Sequence, residues 1–318
     1  MIHNKNVLIT GGAGFIGSHL AERLAERNDV TVLDDFSTGS RSNVSDARSI
    51  KIVDGDVTDE ALVRRIAHGT DVVLHMAAMM GVKRTLEHPL DVLAVNIDGT
   101  RSVLDAAVAA DVDRVLMAST SEIYGDATDP PYAESDEASP KTNYAVAKLA
   151  DERFVQAYGT EYDLDYTIVR YFNVYGPRQD PSGYGYVVPI FVKQALADET
   201  IEVHGDGSQT RDFTYIDDAI DCTLRSLSPR GRNEVFNVGT GHELSVRELA
   251  ERVVSVVGSG TVEEIDHPRP YEVDRRCANV SKVNRLLGYE PQYSIAQGIE
   301  TLAETGSKPL EAEHTGNL

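Results

Sequence analysis

Residues 6–17 read Asn-Val-Leu-Ile-Thr-Gly-Gly-Ala-Gly-Phe-Ile-Gly, an apolar run that ends in glycines and passes into an amphipathic stretch, Phe15 to Arg27. Gly11, Gly14 and Gly17 keep a G-x-x-G-x-x-G spacing directly after Val7-Leu8-Ile9. A strand that turns into a helix has a use for each glycine. The first makes the tight turn, the second lets a pyrophosphate approach the backbone, and the third lets helix and strand pack closely. Free N–H groups at the helix start then face the phosphates. Such turns also cap helices in proteins that bind nothing, so the next strand decides. Val30-Thr31-Val32-Leu33 is followed by Asp34, about twenty residues on, where a carboxylate bonds a ribose 2′-OH and repels a 2′-phosphate. The segment predicts a dinucleotide site that takes NAD in preference to NADP.

The chain has 318 residues and a formal net charge of −21, from 51 acidic against 30 basic residues, of which only 8 are Lys. A field of that sign repels nucleic acid and anionic membrane, which excludes both as partners. Acidic excess with little Lys suits a high-salt cytoplasm, where surface charges are screened within a few ångströms; an ordinary acidic cytosolic enzyme is the alternative. Cys222 and Cys277 form no disulfide framework, and no Cys/His cluster suggests a metal. Met1 to Lys5 run straight into the first strand without a signal peptide, and no apolar run reaches membrane-helix length. The expectation is a soluble cytoplasmic protein.

Strand-like runs at 6–10, 30–34, 50–53, 71–75, 113–119 and 164–171 alternate with helical patterns at 15–27, 59–68, 97–110 and 141–159. That rhythm predicts an α/β fold, a Rossmann-type doubly wound parallel sheet with a smaller α/β substrate-binding lobe. Ligands on such sheets sit beyond the carboxyl ends of the strands. After about residue 175, Pro177, Pro181, Gly183, Gly185 and Pro189 break the alternation and predict loops. The expected division is a dinucleotide-binding domain over 1–175, with 211–240 returning to it. Residues 176–210 and 241–305 form the second lobe, with helices at 245–257, 281–287 and 294–304, and 306–318 is a frayed tail.

Tyr144-Ala-Val-Ala-Lys148 puts a phenol and an ammonium one helical turn apart. A cation at that distance favours tyrosinate, so Tyr144 can serve as a general base near neutral pH. Lys148 can also hold a nicotinamide ribose. Y-x-x-x-K recurs by chance, and the companion segment Ala118-Ser-Thr-Ser-Glu-Ile-Tyr-Gly125 gives it meaning: it supplies the Thr120 hydroxyl to share a proton with substrate and Tyr144.

Together these motifs make the chain resemble the extended short-chain dehydrogenase/reductase family, in its branch of nucleotide-sugar epimerases, dehydratases and decarboxylases, over roughly residues 5–305. The resemblance implies tightly held NAD, oxidation of a sugar hydroxyl to a ketone, a transformation, and return of the hydride. It implies a pyrophosphate turn at Gly11, Gly14, Phe15 and Ile16, and an adenosine ribose site at Asp34 with Phe36, Ser37, Thr38 and Gly39. It places Asp56 and Val57 at the adenine edge, and Ala77, Ala78, Asn96, Ser119 and Tyr171 along the cofactor cleft. Thr120, Tyr144 and Lys148 match the catalytic triad. For the substrate, a UDP-sugar, it implies Asn173, Val188, His204, Arg211, Arg269 and Glu272; arginine forks suit a diphosphate in an acidic protein. A homodimer joined through the helices at 97–110 and 141–159 is also implied, with apolar positions such as Val103, Leu104, Val108, Leu149, Phe154 and Val155.

The transformation stays open between three reactions. A 4-epimerase needs no further acid or base, and Arg170 to Pro181 with Tyr186-Val-Val-Pro189 resembles UDP-hexose 4-epimerases. Glu122 and Arg276 stand where a UDP-glucuronate decarboxylase keeps groups that face the uronate. Thr120-Ser-Glu122 departs from the Thr-Asp-Glu of nucleoside-diphospho-glucose 4,6-dehydratases, and Met80 replaces a lysine carried by galactose-pathway epimerases. A non-catalytic NAD-binding regulator on the same fold is the alternative of a different class.

Overall fold

The computed structural model describes residues 2–44, 49–126, 128–180, 186–266 and 273–306. Its centre is a parallel sheet of seven strands. Six come in sequence: β1 (Asn6–Thr10), β2 (Asp29–Asp34), β3 (Ile50–Asp54), β4 (Val72–His75), β5 (Arg114–Thr120) and β6 (Tyr166–Tyr171). Between them run α1 (Phe15–Ala25), α2 (Glu60–Ala67), α3 (Val82–Glu87), α4 (Pro89–Ala109) and α5 (Asn143–Tyr162). The chain continues through β7 (Val174–Tyr175), α6 (Val187–Leu196), β8 (Thr200–His204), β9 (Thr210–Arg211), β10 (Thr214–Tyr215) and α7 (Ile216–Ser226). Strand β11 (Glu234–Val238) then pairs with β6 as the seventh strand, giving the order β11-β6-β5-β4-β1-β2-β3. Last come β12 (Leu244–Ser245), α8 (Val246–Val257), β13 (Thr261–Ile265), β14 (Arg275–Arg276), α9 (Ser281–Leu287) and α10 (Ile295–Gly306).

The strands are apolar at consecutive positions because both faces of the sheet are covered. Val7 and Ile9 of β1 pack with Leu20 and Leu24 of α1, whereas Leu8 between them packs with Val103 and Leu104 of α4. The same alternation sends Val72 and Leu74 to one face and Val73 to the other. Val103, Leu104 and Val155 are thereby spent on the sheet; Val108 and Phe154 pack against the same cluster.

Three helical stretches differ from the sequence expectation. Helix α4 begins at Pro89 rather than 97, with proline at a first-turn position that needs no N–H. The short α3 precedes it. Helix α6 occupies part of the expected loop region, because Pro189 falls in its first turn, where proline is tolerated. The expected tail from 307 lies outside the described residues, as do Pro181, Gly183 and Gly185.

Three small sheets accompany the central one among the described residues: β7 and β10 pair in parallel, β8 and β13 pair in parallel, and β9 lies between antiparallel β12 and parallel β14. No helix among the described residues is long and apolar enough to cross a membrane.

The closeness of α1 to the glycine turn is a packing constraint. A Cβ on Gly17 would stand 2.1 Å from the Gly11 carbonyl oxygen. Gly17→Ala is therefore expected to lower stability by about 1–3 kcal/mol through forced backbone displacement. Urea unfolding followed by circular dichroism measures this, and a curve superimposable on wild type would show that the helix can move away freely.

Candidate active site

At the end of β1, Gly11 adopts φ +66°, and a Cβ there would meet the Ala77 nitrogen at 2.6 Å. Gly14 is the N-cap of α1 and offers no side chain to the first turn, which also holds no acidic residue. A Cβ on Gly14 would find nothing nearer than the Gly11 oxygen at 3.3 Å, so it would project into the space before the helix. The first N–H groups of α1, at Phe15 and Ile16, have no side-chain cap. This cradle fits a pyrophosphate.

Asp34 closes β2 and is nearly buried. Its Oδ2 accepts the Ala13 N–H at 2.9 Å and its Oδ1 the Phe36 N–H at 2.9 Å. Burial raises its pKa, and the backbone donors oppose that shift. The carboxylate thus ties the glycine turn to the Phe36–Gly39 loop while each oxygen keeps lone-pair capacity for a ribose hydroxyl. Ser40 N–H donates to Ala13 O, and the Arg41 guanidinium lies 4.3 Å from the centre of the Phe36 ring. Ser37 N–H is taken by Asp35, and Thr38 is exposed.

Several residues expected along the cofactor have other occupations. Asn96 is buried; its amide accepts from Met79 N–H and donates to Met79 O and Val92 O, so it pins the loop that contains Ala77 and Ala78. The Tyr171 hydroxyl bonds Thr223 Oγ1 at 2.8 Å on α7, which places that side chain in the core rather than in a cleft. Asp56 is exposed and accepts Thr58 N–H in a local turn, and Val57 packs where a Gly99 side chain would stand. Ser119 Oγ donates to Glu152 Oε1 at 2.5 Å. Val188 is a core residue of α6. The family resemblance named these positions but could not say which way each side chain points.

Thr120 ends β5, and its Oγ1 accepts the Glu122 N–H at 3.2 Å. The Glu122 carboxylate accepts the Thr142 hydroxyl at 3.3 Å, and Thr142 caps α5 by accepting Ala145 N–H. Tyr144 therefore sits in the first turn of α5, next to Glu122. Its phenol is held well above its ordinary pKa by burial first, then by Glu122, Tyr186 and Asp151. Lys148, expected to lower it, faces Asp151 Oδ2 at 3.1 Å, with both side chains buried. Tyr186 and Asp151 are the residues that sequence reading missed. Tyr186 lies in the quoted Tyr-Val-Val-Pro stretch, and Asp151 follows Lys148 at i+3.

Behind the strand end runs a buried network. Arg170 of β6 donates from Nε and Nη2 to the two oxygens of Glu152, at 2.9 and 2.7 Å, and from Nη1 to Tyr124 OH at 2.7 Å. Tyr124 OH donates to Asn237 Oδ1 on β11 at 2.7 Å, and its ring stacks on Tyr132 at 4.8 Å. Burial raises the Tyr124 pKa to about 12. This network fixes the backbone that carries Ser119 and Thr120.

On the far side, Arg211 of β9 and Arg276 of β14 are register partners on parallel strands. Both charges act on Tyr132. Arg211 is 7% exposed and donates to the Thr210 carbonyl at 2.7 Å. Asn173, at φ +32°, donates to Asp212 O at 3.3 Å, and Asp212 gathers donors from Thr240, Gly241 and Ala278. His204 ends β8. Arg269 and Glu272 lie outside the described residues. Among the described residues no group of His, Cys, Asp and Glu is arranged for a metal.

Residues 7–239 match the family model described as NAD dependent epimerase/dehydratase family. UDP-glucose 4-epimerase of Mycolicibacterium smegmatis is 38% identical over 305 residues, covering 93% of this chain and 97% of that protein. UDP-N-acetyl-alpha-D-glucosaminuronate decarboxylase of Bacillus cytotoxicus is 36% identical over 310 residues, covering 93% and 96%. The crystal structure of UDP-glucose 4-epimerase with UDP-glucose from Thermotoga maritima superposes with a TM-score of 0.89, at 34% identity over 94% of this chain and 97% of that one.

Asp34→Ala removes a charged acceptor from the ribose position and frees the loop it ties. It is expected to weaken NAD binding by roughly tenfold to a hundredfold, the scale of a hydrogen bond to a charged group. Isothermal titration calorimetry checks this; an affinity within twofold of wild type would remove Asp34 from the site.

Proposed function

The chain belongs to the NAD dependent epimerase/dehydratase family, and from that premise we propose that it is a UDP-sugar 4-epimerase acting through a transient 4-keto sugar. One arrangement supports the reading above the others: Tyr144 in the first turn of α5, its phenol facing Glu122 and Tyr186, with Thr120 at the end of β5. NAD, when bound, would supply hydride transfer from and back to the sugar, and a cationic ring in its oxidised form.

The remaining work falls to side chains. Tyr144 takes the proton of the sugar hydroxyl and gives it back, with the Thr120 hydroxyl sharing that hydrogen bond. Its phenol is held protonated by burial and by two carboxylates, so positive charge brought close to it favours the proton's release. Gly11, Gly14, Phe15 and Ile16 hold the pyrophosphate of the cofactor, and Asp34 its ribose. Arg211 and Arg276, side by side, neutralise the substrate diphosphate, with Asn173 beside them. In a 4-epimerase the ketone turns over in the pocket, which asks for no further acid or base.

A second reading, decarboxylation of a UDP-uronate, rests on Glu122 and Arg276. An Arg that orients the carboxylate of a 4-keto uronate is sufficient for loss of CO₂, because the intermediate is a β-keto acid. The two readings part at the product. Incubation with UDP-glucose, UDP-galactose and UDP-glucuronate, followed by NMR of the sugar, is expected to show interconversion at C4 without CO₂. A pentose or 6-deoxy-4-keto product would overturn the epimerase reading. Tyr144→Phe is expected to lower kcat by a factor of about 10² or more, whereas unchanged turnover would remove Tyr144 as the base.

A further inference from the structure

Of the two carboxylates that act on the proposed base, one is a buried group to which the reading above gives no task of its own. Asp151 is fully buried, on the face of α5 that also carries Lys148 at i−3 and Tyr144 at i−7. Its Oδ2 is 3.1 Å from Lys148 Nζ, yet neither oxygen accepts a hydrogen bond of good geometry from the described residues. A buried charge in that state is expensive unless its partner is fixed.

The groups that face it come from every side. Burial raises the Asp151 pKa; Lys148, and from α4 the Thr100 hydroxyl, favour its ionised form, while from α5 itself Glu152 opposes it. From β4, His75 bridges Thr10 Oγ1 at 2.7 Å and Thr100 Oγ1 at 3.1 Å. Burial, together with the Lys148 charge, lowers the His75 pKa to about 3, so it brings no cation of its own. Around the phenol stand Glu122 and Tyr186. Glu152 is occupied by Arg170.

We infer that Asp151 is a positioning residue that sets how much of the Lys148 charge reaches the Tyr144 phenol. It fixes the ammonium and compensates it, so the phenol meets a dipole in place of a bare cation. The inference rests on the reading of Tyr144 as the base. It accounts for a phenol that stays protonated one turn from a lysine, and it makes deprotonation depend on positive charge arriving from outside the pair.

The test follows phenolate absorbance against pH in the NAD-saturated enzyme, each variant measured as the difference from its Tyr144→Phe counterpart. Asp151→Asn keeps the shape and removes the negative charge, so the Tyr144 midpoint is expected to fall by about one pH unit, a tenfold change in proton affinity. Lys148→Met is expected to raise it. The double variant Lys148→Met/Asp151→Asn, which removes both charges, is expected to lie below Lys148→Met and near wild type. An Asp151→Asn midpoint at or above wild type overturns the inference, as does a double variant that titrates like Lys148→Met. Where Asp151→Asn fails to fold, the comparison of the other two decides. A purely structural role would lower the unfolding temperature and leave the midpoints in place. Full turnover by Tyr144→Phe would sink the base reading instead, and the midpoints would still be measurable.

Discussion

Helix α5 carries Lys148, Asp151 and Glu152 into a region where none of the three is more than 2% exposed, and the rest of the site is built around that fact. Buried charges survive only when paired and held, since removing one partner costs about 3–5 kcal/mol. Here Lys148 is matched within α5 by Asp151, whereas Glu152 is matched from β6 by the fork of Arg170. The first pair stands toward Tyr144 and the second toward Ser119. One helix therefore fixes both the proposed base and the strand end that carries the proposed threonine. Thr100 of α4 and His75 of β4, bonded to each other, add a polar lining that an apolar wall could not.

The dinucleotide turn obeys a different constraint, one of space. Gly11 and Gly17 are required by contact with Ala77 and with each other, independent of any ligand, whereas Gly14 opens onto the front of the helix. Asp34 joins the two demands, since the carboxylate proposed to meet a ribose is also the acceptor that ties Ala13 to Phe36. With both roles on one side chain, a loss of affinity on substitution would carry both contributions.

What could be read from the sequence follows from how local the physics is. The strands, the glycine turn and the Tyr144–Lys148 spacing depend on periods of two and of 3.6 residues, which a single chain displays. The direction of a side chain depends on what covers it, which a single chain's periodicity does not display. Tyr171 goes to Thr223 because α7 lies over it, and Asn96 goes to the Met79 backbone because the loop folds onto α4. Lys148 illustrates the gap most clearly. Its distance from Tyr144 was visible in the sequence, but its partner Asp151, only three residues on, becomes a counter-ion through burial beneath α4, which local spacing does not encode. The start of α6 was hidden for a related reason, since Pro189 looks like a breaker until its first-turn position is known.

A chain of net charge −21 that is to hold a diphosphate faces repulsion from its own surface. The far field is weak, because charges beyond about 8–10 Å are screened at ordinary ionic strength. The local field is not screened in the same way, and here the small β12-β9-β14 sheet matters. Along β14, Arg275 is exposed and spent on Glu243 at 2.9 Å, whereas Arg276 alternates to the other side and falls beside Arg211. Two guanidiniums in register repel each other, and the more so because Arg211 is nearly buried. In the proposed reading, a substrate diphosphate between them would remove that repulsion and gain two forks of hydrogen bonds. On that reading strand register, more than net charge, would let an acidic protein present a site for a doubly charged substrate.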